Sequence, residues 1–254
     1  MDKLSVVGLV VALGAILLGF GMEGGVISGL FHGPAFIIVF GGTIGAVMLQ
    51  SQLPTFKKSL EIFKWVFTPP HYDAPAGIEQ IKNWTSTARQ KGYLALEEEA
   101  LTTEDPYAAK GLSLLIDGSQ EERLRDTLDI ELTLERERLL DAARVYEAMG
   151  GYAPTIGILG AVLGLIQAMA YITEPEKLGV GVATAFLATI YGVGLANLVF
   201  LPVANKLKQV IEDKMLYHEL IAEGIIAMQV GESPANIELK LEAYIADRHV
   251  SSGY

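Results

Sequence analysis

Two long apolar stretches, Gly150 to Ile172 and Gly179 to Val203, hold the residues whose chemistry matters most in this sequence. Their candidate polar groups are Thr155, Gln167, Thr184, Thr189, Tyr191 and Asn197, and neither stretch contains Asp, Glu, Lys, Arg or His. Hydroxyls and amides can line a path, but a proton relay or cation site inside a membrane normally uses an ionisable side chain. If this chain takes part in ion transport, the carboxylate comes from elsewhere. Other chemistries find even less support. There is no cysteine, so disulfides, thiolate metal sites and Cys nucleophiles are excluded. His32, His71, His218 and His249 are scattered without metal-ligand spacing and read as isolated loop or surface histidines. No phosphate loop, nucleophile elbow or zinc motif occurs, and the net charge of −11 makes nucleic acid a poor partner. The expectation is a protein that is not an enzyme and carries no metal or cofactor.

Small residues recur through both stretches. Gly157, Gly160 and Gly164 run along the first; Gly181, Ala185 and Thr189, and likewise Ala188, Gly192 and Ala196, repeat every four residues in the second. Such stripes let helix backbones approach closely. The neighbour could be this chain itself, an identical copy or a further partner helix. Pro154 and Pro202 stand near the two ends that point to the same side. Each removes a backbone hydrogen bond and tends to bend a helix. They act either as static kinks or as a coupling between motion in the membrane and the mass below it.

The elements that must position these residues are membrane spans. About 20 apolar residues cross the hydrocarbon core as a helix. Leu4 to Met22, Pro34 to Gln50, Gly150 to Ile172 and Gly179 to Val203 meet that requirement or come close. The first is longer than a usual signal-peptide core and is followed almost at once by a second, so it reads as a span. Lys and Arg crowd into Ser51 to Met149 and into the tail after the fourth span, whereas the two short loops hold only Lys177. By the positive-inside rule both termini and the large middle segment are cytoplasmic.

In the middle segment, Ile78, Ile81, Trp84 and Ala88 form one helical stripe that Gly92 ends. Ser119 with Glu122 fits a capping box, and Glu121 with Arg125 a favourable surface pair, at the start of a long helix reaching Ala148. Leu124, Leu128, Leu132, Leu139, Ala143 and Tyr146 line its apolar face. A matching helix runs from Asn205 to Val230, with Ile211, Met215, His218, Ile221 and Ile225 on one side. The chain reads as an all-α integral membrane protein, with four transmembrane helices in two hairpins and spans three and four extended into a helical cytoplasmic domain. Its divisions are 1–50 (spans one and two), 51–149 (cytoplasmic helical domain), 150–203 (spans three and four, lining the ion path) and 204–254 (cytoplasmic helix and tail).

"GGYAPTIGILGAVLGLIQAM", "VATAFLATIYGVGLANLVFLPVANKLK" and "EGIIAMQVGESPANIELKL", with the two hairpins and the large loop, resemble the MotA/PomA family, its MotC-like or PomA-like branch in particular. These are the A subunits of the bacterial flagellar motor stator. The resemblance implies a multi-pass protein of the bacterial inner membrane. It implies a homo-oligomeric ring, a pentamer, around a B subunit that supplies the missing membrane Asp and a peptidoglycan anchor. Ion passage would turn the ring against the rotor switch protein. On that resemblance Gly157, Gly160, Ala161, Gly164, Ala185 and Thr189 form the ion path and the face for the partner helices. Pro154 and Pro202 couple to torque, and Arg89, Glu97 and Glu98 in "RQKGYLALEEE" contact the rotor. Sodium-type relatives carry Thr where this chain has Ala161. A methyl group cannot replace hydration around sodium, so the expected ion is the proton rather than sodium. The alternatives are an ExbB/TolQ-type energiser, a sodium-driven PomA-type stator and a scaffold without ion flow.

Overall fold

Apolar length dictates the largest elements. The computed structural model describes residues 2–251, and four of its helical segments are long and apolar enough to cross a membrane: Lys3–Met22, Ile27–Gln50, and parts of Glu121–Ala170 and Lys177–Val230. Among the described residues every regular element is helical. The helices are α1 (Lys3–Met22), α2 (Gly33–Phe36), α3 (Gly42–Gln50), α4 (Leu53–Ile62), α5 (Ala74–Lys91), α6 (Glu97–Thr102), α7 (Pro106–Ile116), α8 (Glu121–Ala170), α9 (Pro175–Leu195), α10 (Leu201–Val230) and α11 (Pro234–Ser251). Two compact units divide the chain, and each is built from two segments. The first holds Met1–Pro70 and Arg138–Val210, the second His71–Glu137 and Ile211–Tyr254. The divisions after Glu137 and Val210 fall inside α8 and α10.

The first unit contains all four apolar segments. Two are not uniform α-helix. A π-turn at Ile37–Gly41 joins α2 to α3, and a second at Ala196–Phe200 joins α9 to α10. Such turns insert a residue into the helical ladder and often mark functional places. No residue of α1 is buried within the chain. Its N-terminal end is fastened by polar contacts: Asp2 caps α1 through Leu4 N–H (3.1 Å), pairs with Lys206 (2.6 Å) and donates its N–H to the Phe67 carbonyl (2.8 Å). The Lys206 bond comes first among the causes that hold the Asp2 carboxyl at about 2. After span two, α4 packs back on α8, where the Tyr146 hydroxyl donates to the Ser59 carbonyl (3.0 Å) and the ring stacks on Phe63.

The second unit has its own apolar core. The stripe Ile78, Ile81, Trp84 and Ala88 is buried with Leu112, Leu115, Leu124, Leu128, Ile221 and Ile225. Packing is tight at two glycines: a Cβ on Gly224 would meet the Ile81 side chain at 2.6 Å, and one on Gly111 would meet the end of the Ile225 side chain at 2.5 Å. α11 completes the core with Ile237 and Leu241, and Lys82 on α5 pairs with its Glu238 (2.7 Å).

Two local expectations fail here. α8 starts at Glu121, so Ser119 is not its cap. Gly118 takes φ +71° and the Ser119 N–H returns to the Leu114 carbonyl (3.1 Å), which makes Ser119 part of the C-terminal cap of α7. Arg125 pairs with Glu223 on α10 (2.7 Å) instead of Glu121, because a tertiary carboxylate on a partly covered surface outcompetes a solvated one on the same helix.

Candidate functional site in the membrane helices

The small residues of spans three and four form a seam between those two helices. A Cβ on Gly157 would lie 2.9 Å from the Ala188 carbonyl oxygen and 3.1 Å from Gly192 Cα. One on Gly164 would lie 2.7 Å from the Ala185 nitrogen and 2.9 Å from the Gly181 oxygen. The relation is reciprocal: Gly181 has no room against the Ala168 backbone (2.7 Å), nor Gly192 against the Ala153 carbonyl (2.5 Å). Gly160 faces the Ala188 methyl at 2.8 Å and Ile38 of span two at 3.3 Å. The glycines are therefore occupied by this chain's own helices. Gly157, Gly160, Gly164 and Ala185 are all buried within the chain. At Gly157 and Gly164 the contact is with main-chain atoms, the close approach that small residues permit.

Ala161 and Thr189 are different. Both are half-buried at the margin of the seam. The Thr189 hydroxyl donates to the Ala185 carbonyl (3.2 Å), a weak bond within its own helix. Beyond them span three exposes Ile158, Leu159, Val162 and Ile166, and Phe186 and Ile190 continue this apolar surface on span four. Asn197 is exposed, its amide donating to the Val193 carbonyl (2.9 Å).

The prolines stand on either side of the same packing feature. α8 continues through Pro154 without a break. Pro202 follows the π-turn, in which the Leu201 N–H reaches back to Ala196 O. Widening the ladder just before a residue that lacks an N–H relieves the missing i→i−4 bond. A Cβ on Gly150, one turn before Pro154, would meet the side chain of Leu201 at 2.5 Å, so Gly150 is the socket for the residue preceding Pro202.

At the opposite end of the spans a polar knot was missed by sequence reasoning. Tyr191 accepts the His32 N–H at 2.8 Å and donates to the Leu30 carbonyl. The His32 ring caps α2 by accepting from Ala35 N–H (3.3 Å), with its other nitrogen 3.4 Å from the Thr184 hydroxyl. His32 is thus a structural cap. The only signal for it was the Pro at Pro34, which marks a helix start.

In the second unit Arg89 lies in the last turn of α5, and Glu97 and Glu98 open α6. Gly92 with φ +82° makes the turn between them. All three are exposed, and none forms an ion pair with another described residue. Glu99, by contrast, accepts from the Trp84 indole at 3.4 Å. His218 departs from the surface reading altogether. It is buried, with ring nitrogens 3.3 Å from Asp105 and 3.4 Å from Glu135, and stacks on Tyr107 at 4.6 Å. Its place on the apolar stripe of α10 was the available clue.

Comparison with known proteins covers nearly the whole chain. A family model described as motility protein A N-terminal matches residues 6–91, and one described as the MotA/TolQ/ExbB proton channel family matches residues 99–220. Motility protein A of Bacillus subtilis (strain 168) is 32% identical over 246 residues, 96% of this chain and 91% of that protein. The chain belongs to the motility protein A family. Solved structures agree with this motility protein A membership. The structure of C. jejuni MotAB superposes with a TM-score of 0.90 at 29% identity, covering 96% of each chain. The flagellar MotAB stator complex from Bacillus subtilis superposes with a TM-score of 0.87 at 32% identity over 100% of both chains. The protein is a flagellar stator A subunit of the motility protein A type, and the match of residues 6–91 to the motility protein A N-terminal family weighs against a TolQ/ExbB energiser.

Proposed function

We propose that this chain, with a B subunit, conducts protons across the bacterial inner membrane and converts that flow into torque on the flagellar rotor. The single observation that carries the reading is the pairing of a backbone-tight seam with spans that hold no ionisable group of their own in segments three and four. The similar solved structures are MotAB complexes, which supports a B subunit as the source of the missing carboxylate. The seam makes spans three and four one rigid pair. Its half-buried margin, Ala161 and Thr189, is the surface against which the partner's helix would run, with Gly157, Gly160, Gly164 and Ala185 holding that surface in shape.

Several copies, five by the family resemblance, would surround the B-subunit helices, with both termini and the second unit cytoplasmic. Pro154 and Pro202 flank the Gly150–Leu201 socket and would transmit movement of the pair, while Arg89, Glu97 and Glu98 would meet the rotor switch protein. Ala161 supports the proton, since a hydroxyl there would offer sodium a ligand and a methyl offers none.

The test is complementation of a non-motile strain lacking its own stator, with the chain and its B subunit expressed together. Swimming at fixed proton motive force is expected to be indifferent to sodium. A steep sodium requirement overturns the proton assignment. Swimming without a B subunit overturns the division of labour.

A further inference from the structure

We propose that His218 is a proton-operated clasp that positions the α6–α7 segment, tight when the ring is protonated and loose when it is neutral. The ring comes from α10, and its two nitrogens approach carboxylates on separate elements: Asp105 at the start of α7 (3.3 Å) and Glu135 on α8 (3.4 Å). Aromatic walls enclose it. Tyr107 stacks on one face at 4.6 Å with rings 3° from parallel, Tyr72 stands edge-on at 6.3 Å, and Tyr217 is tilted at 6.3 Å. Its side chain is 4% exposed. The remaining charged neighbour is Lys214, one turn earlier on α10, which pairs with Glu135 at 2.6 Å.

The two carboxylates are not equally dependent on the ring. Glu135 keeps Lys214 when His218 is neutral. Among the described residues Asp105 has no other cation. Asp105 also caps α7, accepting from Tyr107 N–H at 2.9 Å, and it follows α6 by only Thr103 and Glu104. Loss of the proton therefore leaves the α7 cap a partly buried anion without a cation, with the Glu135 carboxylate also on the ring, and both effects favour release of the segment. Burial pushes the His218 ring towards its neutral form, but Asp105 and Glu135 outweigh it and raise its pKa above the ordinary value. A raised value means the clasp is fully formed below the ordinary histidine range and opens as pH rises through the raised value. Because α6 bears Glu97 and Glu98, opening would loosen the surface assigned to the rotor; that consequence rests on the proposed function, whereas the clasp does not.

The experiment uses the full-length chain with its B subunit in lipid nanodiscs. Histidine-ring carbon NMR from pH 5 to 9 is assigned by His32→Gln, His71→Gln and His249→Gln, which leave His218. Amide exchange of residues 105–109, corrected for its intrinsic pH dependence, is followed in parallel. His218 is expected to titrate above the ordinary histidine value of 6.5, and protection at 105–109 to fall about tenfold across that step, the scale of a lost cap. In His218→Gln the step disappears, and in Glu135→Gln it moves to lower pH. A His218 ring that titrates at or below 6.5 overturns the proposal, even if the variants do not fold. So does protection that falls in wild type and His218→Gln alike. Neither result touches the stator assignment, which motility measures separately.

Discussion

Gly164→Ala is the sharpest test of the seam. The added methyl would sit 2.7 Å from the Ala185 nitrogen and 2.9 Å from the Gly181 oxygen, and both are backbone atoms. Ordinary van der Waals contact begins near 3.4 Å. The helices must then part by 3.4 − 2.7 = 0.7 Å at that level, since no rotamer change relieves a clash with main chain. Overpacking of this kind costs about 1–3 kcal/mol. Ala is also a better helix former than Gly by up to about 1 kcal/mol, so the control must carry that gain without the clash. Gly194→Ala does so, because nothing lies within 4 Å of its added Cβ. For a chain of this size each kcal/mol moves the melting temperature by roughly 2–4 °C. Gly164→Ala should therefore melt several degrees below Gly194→Ala in the same detergent, and Gly164→Val lower still. Swimming driven by Gly164→Ala should slow at equal expression. Equal melting of Gly164→Ala and Gly194→Ala would refute the argument that the glycines exist for this backbone contact.

Tyr191→Phe removes the group that accepts from His32 N–H and donates to Leu30 O, which strands a partly buried amide and should cost about 1–3 kcal/mol in thermal unfolding. Charge reversal of Glu97 and Glu98 to Lys should abolish or slow swimming while leaving melting within about 0.5 kcal/mol of wild type, because both are exposed and unpaired. The Glu135 carboxyl is held at about 2, first by His218 and then, against the opposing effect of burial, by Lys214. Its contribution is present above the ordinary carboxylate value of 4.5 and is lost as pH falls through about 2, so acid unfolding of Glu135→Gln should be less steep than that of wild type in that window.

Sequence alone determined the elements and much of their burial. Length and the absence of charge marked four membrane helices, because an uncharged 20-residue stretch has few other stable homes. The 3.6-residue period marked the stripes Ile78–Ile81–Trp84–Ala88 and Ile211–Met215–Ile221–Ile225, all of which are buried. Gly92 marked the end of the first stripe's helix, where it takes φ +82°. The lack of an ionisable group in spans three and four was a statement about composition and needed no coordinates.

Only the tertiary structure decided what the small residues touch. A glycine stripe fits one's own neighbour and a foreign helix equally well, and the choice depends on which backbone arrives at 2.7 Å. The same limit governed charge. Arg125 had a partner on its own helix by spacing but took Glu223 from another, and His218 read as an ordinary histidine until Asp105, Glu135 and Tyr107 converged on it from two further elements. Local pattern records what a residue can do, and a polar side chain's role is set by groups distant in sequence that share its enclosure, where the low dielectric makes each of them count.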